Sequence, residues 1–120
     1  MADTRWNDIF KHLKAEGIEV YSPATKTGMC KSPYVVVKDS GDIKTLNAPA
    51  TQRTYDILCY VPKNRYSEVE VYADRVAEIM DGLWPMIRPL HDRTEPYLDD
   101  TFDAWMTSMM YVNYRKNKRP

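Results

Sequence analysis

Few residues of this chain are suited to acid–base, metal or nucleophilic chemistry, and they are scattered. The two histidines lie far apart, His12 in a segment of helical periodicity and His91 beside Asp92. A histidine acts as a catalyst or metal ligand only with partners around it, and neither has a Cys or His neighbour at metal-ligand spacing. The sequence therefore predicts structural or exposed histidines, and no catalytic or metal site built on them.

Acidic residues concentrate in the segment that precedes the last apolar run. This cluster lacks the D-x-D-x-D-G pattern and the distal glutamate of a calcium loop. We therefore interpret it as a solvated loop and not as a cation site. Its members are Asp92, Glu95, Asp99, Asp100 and Asp103.

The two cysteines, Cys30 and Cys59, have no metal or redox spacing, which predicts free thiols in a reducing compartment. No signature of a thiol nucleophile surrounds Cys30. Gly28 and Gly41 stand alone, so the chain has no glycine-rich loop to hold a phosphate. From these patterns we expect neither an enzyme nor a cofactor-binding protein.

Length and charge place the chain in a broad class. Its 120 residues predict a single domain over 1–120, and 17 basic residues balance 17 acidic ones. Such a balance gives no global attraction to nucleic acid or to a membrane. No apolar run is long enough to span a bilayer, and Met1-Ala2-Asp3 does not open a signal peptide, which predicts a cytosolic protein. The basic end, residues 115–120, is predicted to fray.

One amphipathic helix, Ser67 to Leu83, organises the predicted fold. Ser67 and Glu70 have the spacing of a capping box, Gly82 offers a left-handed stop, and Trp84-Pro85 cannot continue the helix. Its apolar residues recur at steps of three and four and predict one stripe that lies on a sheet. They are Val69, Tyr72, Ala73, Val76, Ile79, Met80 and Leu83.

A second helix near the start and several strands complete the pattern. Trp6, Ile9, Phe10 and Leu13 form the stripe of the first helix, which Gly17 ends. Two stretches rich in glycine, proline and small polar residues predict loops, Ser22–Pro33 and Lys38–Gln52. Strands are predicted at Ile18–Tyr21, Tyr34–Val37, Arg53–Val61 and Phe102–Tyr114, with a possible edge strand at Met86–Leu90 that contains Pro89.

This order of elements predicts an α+β fold. Neighbouring strands joined by short or medium links favour a mostly antiparallel sheet, here of four to five strands. Both helices are expected on one face of that sheet, which makes a two-layer sandwich. Val76, Ile79 and Leu83 are expected to pack against Tyr55, Ile57 and Cys59 or against the opposite face of their strand.

The final strand is apolar on both faces. We expect one face to pack on the helices and the other, with Trp105, Met109 and Tyr111, to stay exposed. An exposed apolar patch usually marks a partner surface, so these three residues are the candidate oligomer interface. The alternative is that Trp105 lies in the core under the loops.

The layout resembles the tail terminator, or tail completion, proteins of long-tailed bacteriophages. The resemblance covers nearly the whole chain. It starts with W-x-x-I-F-x-x-L from Trp6 to Leu13, then G-I-E-V-Y and a P-Y-V-V-V strand. A long loop, the strand R-T-Y-D-I-L-C-Y-V-P, an amphipathic helix and a final aromatic strand follow.

This resemblance implies a structural protein that self-assembles into a ring, commonly a hexamer. The ring would cap the tail tube, end its polymerisation and join the tail to the head connector. Its partners would be further copies of itself, the tail tube protein and the head–tail connector protein, with DNA only in transit and no membrane. It would act in the host cytoplasm and then in the virion, with no catalytic site or cofactor.

Two other classes of function remain open from the residues alone. One is a small nucleic-acid-binding α+β module, for which Tyr34, Tyr55 and Tyr60 would offer stacking rings and the basic end a phosphate contact. The other is an accessory subunit of an enzyme whose site is built at an oligomer interface.

Overall fold

The computed structural model describes residues 4–26, 28–44, 50–90 and 93–116. These ranges contain two α-helices and a mixed sheet of six strands, so the predicted α+β class is confirmed, with more strands than expected. Two 3₁₀ segments, Lys63–Glu68 and Asp81–Leu83, flank the second helix. In chain order the other elements are α1 (Thr4–Ala15), β1 (Val20–Tyr21), β2 (Tyr34–Lys44), β3 (Ala50–Pro62), α2 (Val69–Met80), β4 (Arg88–Pro89), β5 (Tyr97–Asp99) and β6 (Ala104–Lys116).

The sheet is built around two long central strands, β3 and β6. Its order is β1-β2-β3-β6-β4, and β5 also pairs with β6. Every pairing is antiparallel except that of β1 with β2. Pro89 lies in the short edge strand β4, as predicted, because proline has no N–H to give to an interior ladder.

The prediction of a loop over Lys38–Gln52 is wrong, because β2 and β3 extend into this stretch and pair as a hairpin. Strand β2 continues to Lys44, and β3 begins at Ala50. The register shifts between Asp39 and Gly41, where Gly41 has a φ of 93° that favours glycine. The Gly41 N–H donates to the Asp39 carboxylate at 2.9 Å. Glycine and aspartate therefore mark a bulge inside a strand here, and not a loop.

Both helices use their predicted apolar stripes against the same face of the sheet. In α1, Ile9 and Leu13 are fully buried. In α2, Val76 is fully buried in one cluster with Tyr55, Ile57 and Cys59, as predicted. Ile79 and Leu83 are only partly buried at the edge of that cluster.

The start of α2 differs from the predicted capping box. Ser67 lies inside the first 3₁₀ segment, and Glu68, which precedes α2, makes no capping bond through its side chain. The Arg65 side chain holds the Glu68 carboxylate instead, with Nε 2.7 Å from Oε2. The chain leaves β3 through a 3₁₀ turn, so the first turn of α2 begins two residues after Ser67.

The end of α2 also differs from expectation. Gly82 lies in the second 3₁₀ segment and is not left-handed. A methyl group added at Gly82 would stand 2.8 Å from Nε2 of His12. This glycine therefore permits the close approach of α1 and does not stop the helix.

The sheet is much longer than the helices that cover it. Strands β3 and β6 have 13 residues each and span ~43 Å at ~3.3 Å per residue. Helix α2 has 12 residues and spans ~18 Å. The molecule is accordingly elongated, with extents of 53 × 26 × 25 Å, and α2 is less than half as long as the two central strands.

Candidate functional site

Strand β6 turns its two apolar faces to opposite sides of the sheet, and the helices cover the one that carries Met109 and Tyr111. Met109 pairs with Ile57, and Tyr111 pairs with Tyr55. Met109 is 5% exposed and Tyr111 3% exposed. The expectation that these two side chains are exposed is wrong, because the helices pack on their side of the sheet. Burial also raises the pKa of Tyr111 to about 12.

Trp105 shares the face of Met109 but lies beyond the N-terminal end of α2, where the first 3₁₀ segment contacts it. Its ring is half-buried and stands edge-on to Tyr66, with the centroids 4.6 Å apart. The indole N–H donates to the Lys63 carbonyl at 3.1 Å. Tyr66 itself is 52% exposed. These two rings form a surface that we name the Trp105 corner.

A second aromatic surface lies at the C-terminal end of α2. Trp84 is 60% exposed, and the guanidinium carbon of Arg88 lies 5.2 Å from the centroid of its ring. The Arg88 Nε–H donates to the Pro85 carbonyl at 3.0 Å, which holds the side chain in place. We name Trp84 and Arg88 the Trp84 corner. Sequence reasoning treated Trp84 only as part of a helix stop, and the spacing of the apolar residues gave no signal of its exposure.

The face of the sheet opposite the helices is only partly closed. Its centre holds Val36, Leu58 and Met110, all half-buried. Val36 and Leu58 are cross-strand partners. This face therefore presents apolar side chains with no helix over them among the described residues.

One end of that face is closed by an aromatic cluster. Tyr34 and Tyr60 stack with their centroids 4.8 Å apart, and Phe102 meets Tyr60 edge-on. The Lys26 ammonium lies 5.4 Å from the centroid of Tyr34. The Cys30 N–H donates to the Phe102 carbonyl at 2.7 Å, which ties the preceding loop to the cluster.

These tyrosines do not offer the stacking platform of a nucleic-acid-binding module. Tyr34 is 1% exposed, Tyr55 is fully buried, and Tyr60 is nearly so. A base stacks on a protein ring only where one face of that ring is open. The rings therefore serve the core of the protein.

A charge-balanced groove of about 480 Å³ runs between the start of α2 and the segment around β1. The bonded pair of Arg65 and Glu68 forms one wall, and the hydrogen bond from Arg65 lowers the pKa of Glu68. Opposite lies Glu19, which accepts hydrogen bonds from Tyr21 and, at 3.4 Å, from Ser32. The carboxylates are thus already engaged within the protein.

His12, Cys30 and Cys59, which were singled out in the sequence, lie in structural positions. His12 Nε2 lies 2.8 Å from the Ile79 carbonyl and links α1 to α2. Cys30 and Cys59 are buried free thiols, and burial raises the pKa of Cys59 to about 12. Within the described ranges no group of three or more His, Cys, Asp or Glu side chains is arranged to hold a metal ion. His91 and Asp92 lie outside those ranges.

Comparison with known proteins adds no family to this picture. No protein-family model matches the chain, and no curated protein matches it either. In the described ranges no helix is long and apolar enough to cross a membrane. The two aromatic corners and the open sheet face are therefore the surfaces on which a function is argued.

Proposed function

We propose that this protein is a structural assembly protein, a tail terminator of a long-tailed bacteriophage. Copies of it form a closed ring, a hexamer, that caps the tail tube and ends its polymerisation. The same ring then joins the tail to the head–tail connector protein, and DNA only passes through it. The protein works in the host cytoplasm during assembly and stays in the virion tail.

The observation that carries this proposal is the exposure of large aromatic side chains after the core is complete. Trp84, Tyr66 and part of Trp105 stay at the surface although the core beneath the helices is closed. Tryptophan, tyrosine and arginine are the residues most enriched at the energetic centres of protein interfaces. A surface that presents them at two places is typical of a protein that functions in contact with other proteins.

The shape of the sheet also supports an assembly role. Strands β2, β3 and β6 run on together beyond the helices, paired as far as Lys44 with Thr51 and Ala50 with Lys116. This three-stranded ribbon gives a protomer a long contact surface for a second component, such as the tail tube protein. The balance of 17 basic and 17 acidic residues removes net repulsion between copies.

Electron microscopy of the purified protein tests the proposal directly. We expect closed rings of uniform size. When the protein is added to polymerising tail tube protein, tubes capped at one end should stop growing, and Trp105→Ala in a phage should give tails of uncontrolled length. A protein that stays monomeric in the microscope and leaves tube length unchanged would contradict the proposal.

A further inference from the structure

We propose that the groove between the start of α2 and the segment around β1 binds an organic acid that has one carboxylate and an apolar body. The carboxylate contacts the Arg75 guanidinium and the Tyr72 hydroxyl, and the apolar body lies against Val71. None of the residues that line the groove belongs to the Trp84 corner or the Trp105 corner. The site therefore goes beyond the proposed ring and does not depend on it.

The groove has the size and the apolar walls of a small-molecule site. Its volume is about 480 Å³, and pockets for small ligands usually measure ~300–1,000 Å³. Ile18 in one wall is nearly buried, and the Tyr72 ring in the other wall packs on the core beneath the helices. The core thus holds these walls in place, so the groove exists before a ligand arrives.

Arg75 brings to the groove a positive charge that the described residues leave without a counter-ion. Its side chain is exposed and makes no ion pair with any residue of the described ranges. Glu16 and Glu78 line a second groove on its other side, and neither of these described carboxylates forms an ion pair with it. A guanidinium presents a planar fork of N–H groups that matches a carboxylate. Arg75 is therefore available to a carboxylate from outside the chain.

The Tyr72 hydroxyl is a second donor beside Arg75. It makes no hydrogen bond with a described residue. Burial raises the pKa of Tyr72, so the hydroxyl keeps its proton at neutral pH, and the charge of Arg75 lowers the same pKa because it lies nearby. Two donors without acceptors at one place favour a ligand that supplies acceptor oxygens.

The other charges of the groove favour a ligand with a single negative charge. Arg65 and Glu68 are bonded to each other, with Nε 2.7 Å from Oε2, and Glu19 accepts a hydrogen bond from Tyr21. These groups have their partners within the protein, but the two carboxylates still repel an anion. The repulsion grows with the charge of the ligand, so a singly charged carboxylate is favoured over a doubly charged phosphate.

Val71 gives the apolar part of the ligand its place. It is 68% exposed, lies outside the buried stripe of α2 and lines the groove. Residues four apart on a helix are neighbours, with ~5–6 Å between their Cβ atoms, so Val71 lies beside Arg75. The ligand should therefore carry its apolar group about one helical turn from its carboxylate. The probe 3-phenylpropanoate, in which two methylene groups separate a ring from a carboxylate, has this spacing.

Ligand-observed saturation-transfer NMR tests the site in the wild-type protein, whether it is a monomer or a ring. We expect saturable binding of 3-phenylpropanoate with a dissociation constant on the order of 1 mM, the strength usual for a molecule of about ten non-hydrogen atoms. The amide of the same acid has the same shape and no charge, so it should bind about tenfold more weakly. No saturable binding of the acid, or equal binding of the amide, would overturn the site.

Three variants locate the binding, and circular dichroism checks that each keeps its fold. Arg75→Gln removes the charge of an exposed side chain and should weaken binding about tenfold. Tyr72→Phe keeps the ring that packs on the core and should weaken binding about fivefold through loss of the hydroxyl. Lys11→Gln is the matched control, since it removes an exposed charge of α1 outside the groove and should leave binding unchanged.

The outcomes separate this site from an unspecific attraction of anions and from the proposed ring. Unchanged binding in Arg75→Gln, or equal weakening in Lys11→Gln, would overturn the site. Inorganic phosphate that displaces the probe at equal concentration would overturn the preference for one negative charge. A wild-type protein that is monomeric yet binds the probe in the expected pattern would overturn the ring and leave this site standing.

Discussion

The two faces of the sheet are made from alternate residues of the same strands, yet they differ sharply in burial. On the face beneath the helices, Val35 and Ile57 are fully buried. Their sequence neighbours Val36 and Leu58, on the opposite face, are half-buried. The strand alternation supplies two apolar faces, and the position of the helices decides which of them becomes the core.

The second face is closed only where other parts of the chain reach it. At one end, the loop before β2 and Phe102 cover Tyr34 and Tyr60. At the centre, around Leu58, the described residues include no such cover. Burial on this face therefore varies along one strand, while the helix-covered face stays buried from Tyr55 to Val61.

The largest expected effect of a single change is on the helix-covered face. Ile57→Ala should lower the free energy of unfolding by about 2–5 kcal/mol, because it removes a fully buried side chain and leaves a cavity among α2, β3 and β6. Urea titration measures this loss. A change below about 0.5 kcal/mol, the size usual for surface positions, would show that the helices do not pack on this face.

The stability of the protein at alkaline pH allows the two faces to be compared through two neighbouring residues, Cys59 and Tyr60. Burial raises the pKa of Cys59, beneath the helices, from 9.0 to about 12, and that of Tyr60, at the closed end of the other face, from 10.0 to about 12. The unfolded chain loses these protons at lower pH than the folded one. The contribution of these two groups to stability should therefore be constant below pH 9 and fall as pH rises through these windows to about 12.

Variants isolate the contributions of Cys59 and Tyr60 to this alkaline loss. Cys59→Ala should flatten the curve of unfolding free energy between pH 9 and 12, and Tyr60→Phe should flatten it between pH 10 and 12. If Tyr60→Phe leaves the slope unchanged, the closed end of the second face is open to water.

The approach of α1 to α2 gives a smaller expected effect. Gly82→Ala should destabilise the protein by about 1 kcal/mol, because the new methyl meets the His12 ring that bonds the Ile79 carbonyl. In a His12→Ala background the clash disappears and alanine is the better helical residue, so the same change should be neutral or stabilising. Thermal unfolding of the four proteins measures the coupling, and additive effects would contradict the contact.

The smallest expected effect lies at the centre of the open face. Leu58→Ala should cost less than about 1 kcal/mol, because the side chain is only half-buried. Measured under the conditions used for Ile57→Ala, this variant is the matched control on the adjacent residue. A loss as large as that of Ile57→Ala would mean that an element covers Leu58.

Periodic features of the sequence predicted their elements well. The stripes of α1 and α2 and the place of Pro89 in an edge strand follow from local rules of spacing and hydrogen bonding, and the structure has all three. Features set by contacts between distant residues were not predictable in the same way. The part of β2 beyond Asp39 is held by pairing with β3, from Gly41 with Thr54 to Lys44 with Thr51, and its glycine and aspartate taken alone indicated a loop.

The orientation of β6 shows a second limit of the sequence. Both of its faces are apolar, with Met106 and Met110 on one and Met109 and Tyr111 on the other. Alternation therefore identified the strand but not the face that meets the helices. The prediction that Trp105 is exposed was right only in part, because its ring is half-buried. The place where α2 ends determines where the helical cover stops, and the pattern of the strand does not reveal it.

Sedimentation velocity of the wild-type protein over a range of concentrations tests the central claim most directly. We predict one dominant species with the mass of a closed ring, whose size stays fixed as concentration rises, since a closed contact leaves no free ends. A protein that sediments as a monomer throughout, or as a series of ever larger species, would contradict assembly into a closed ring.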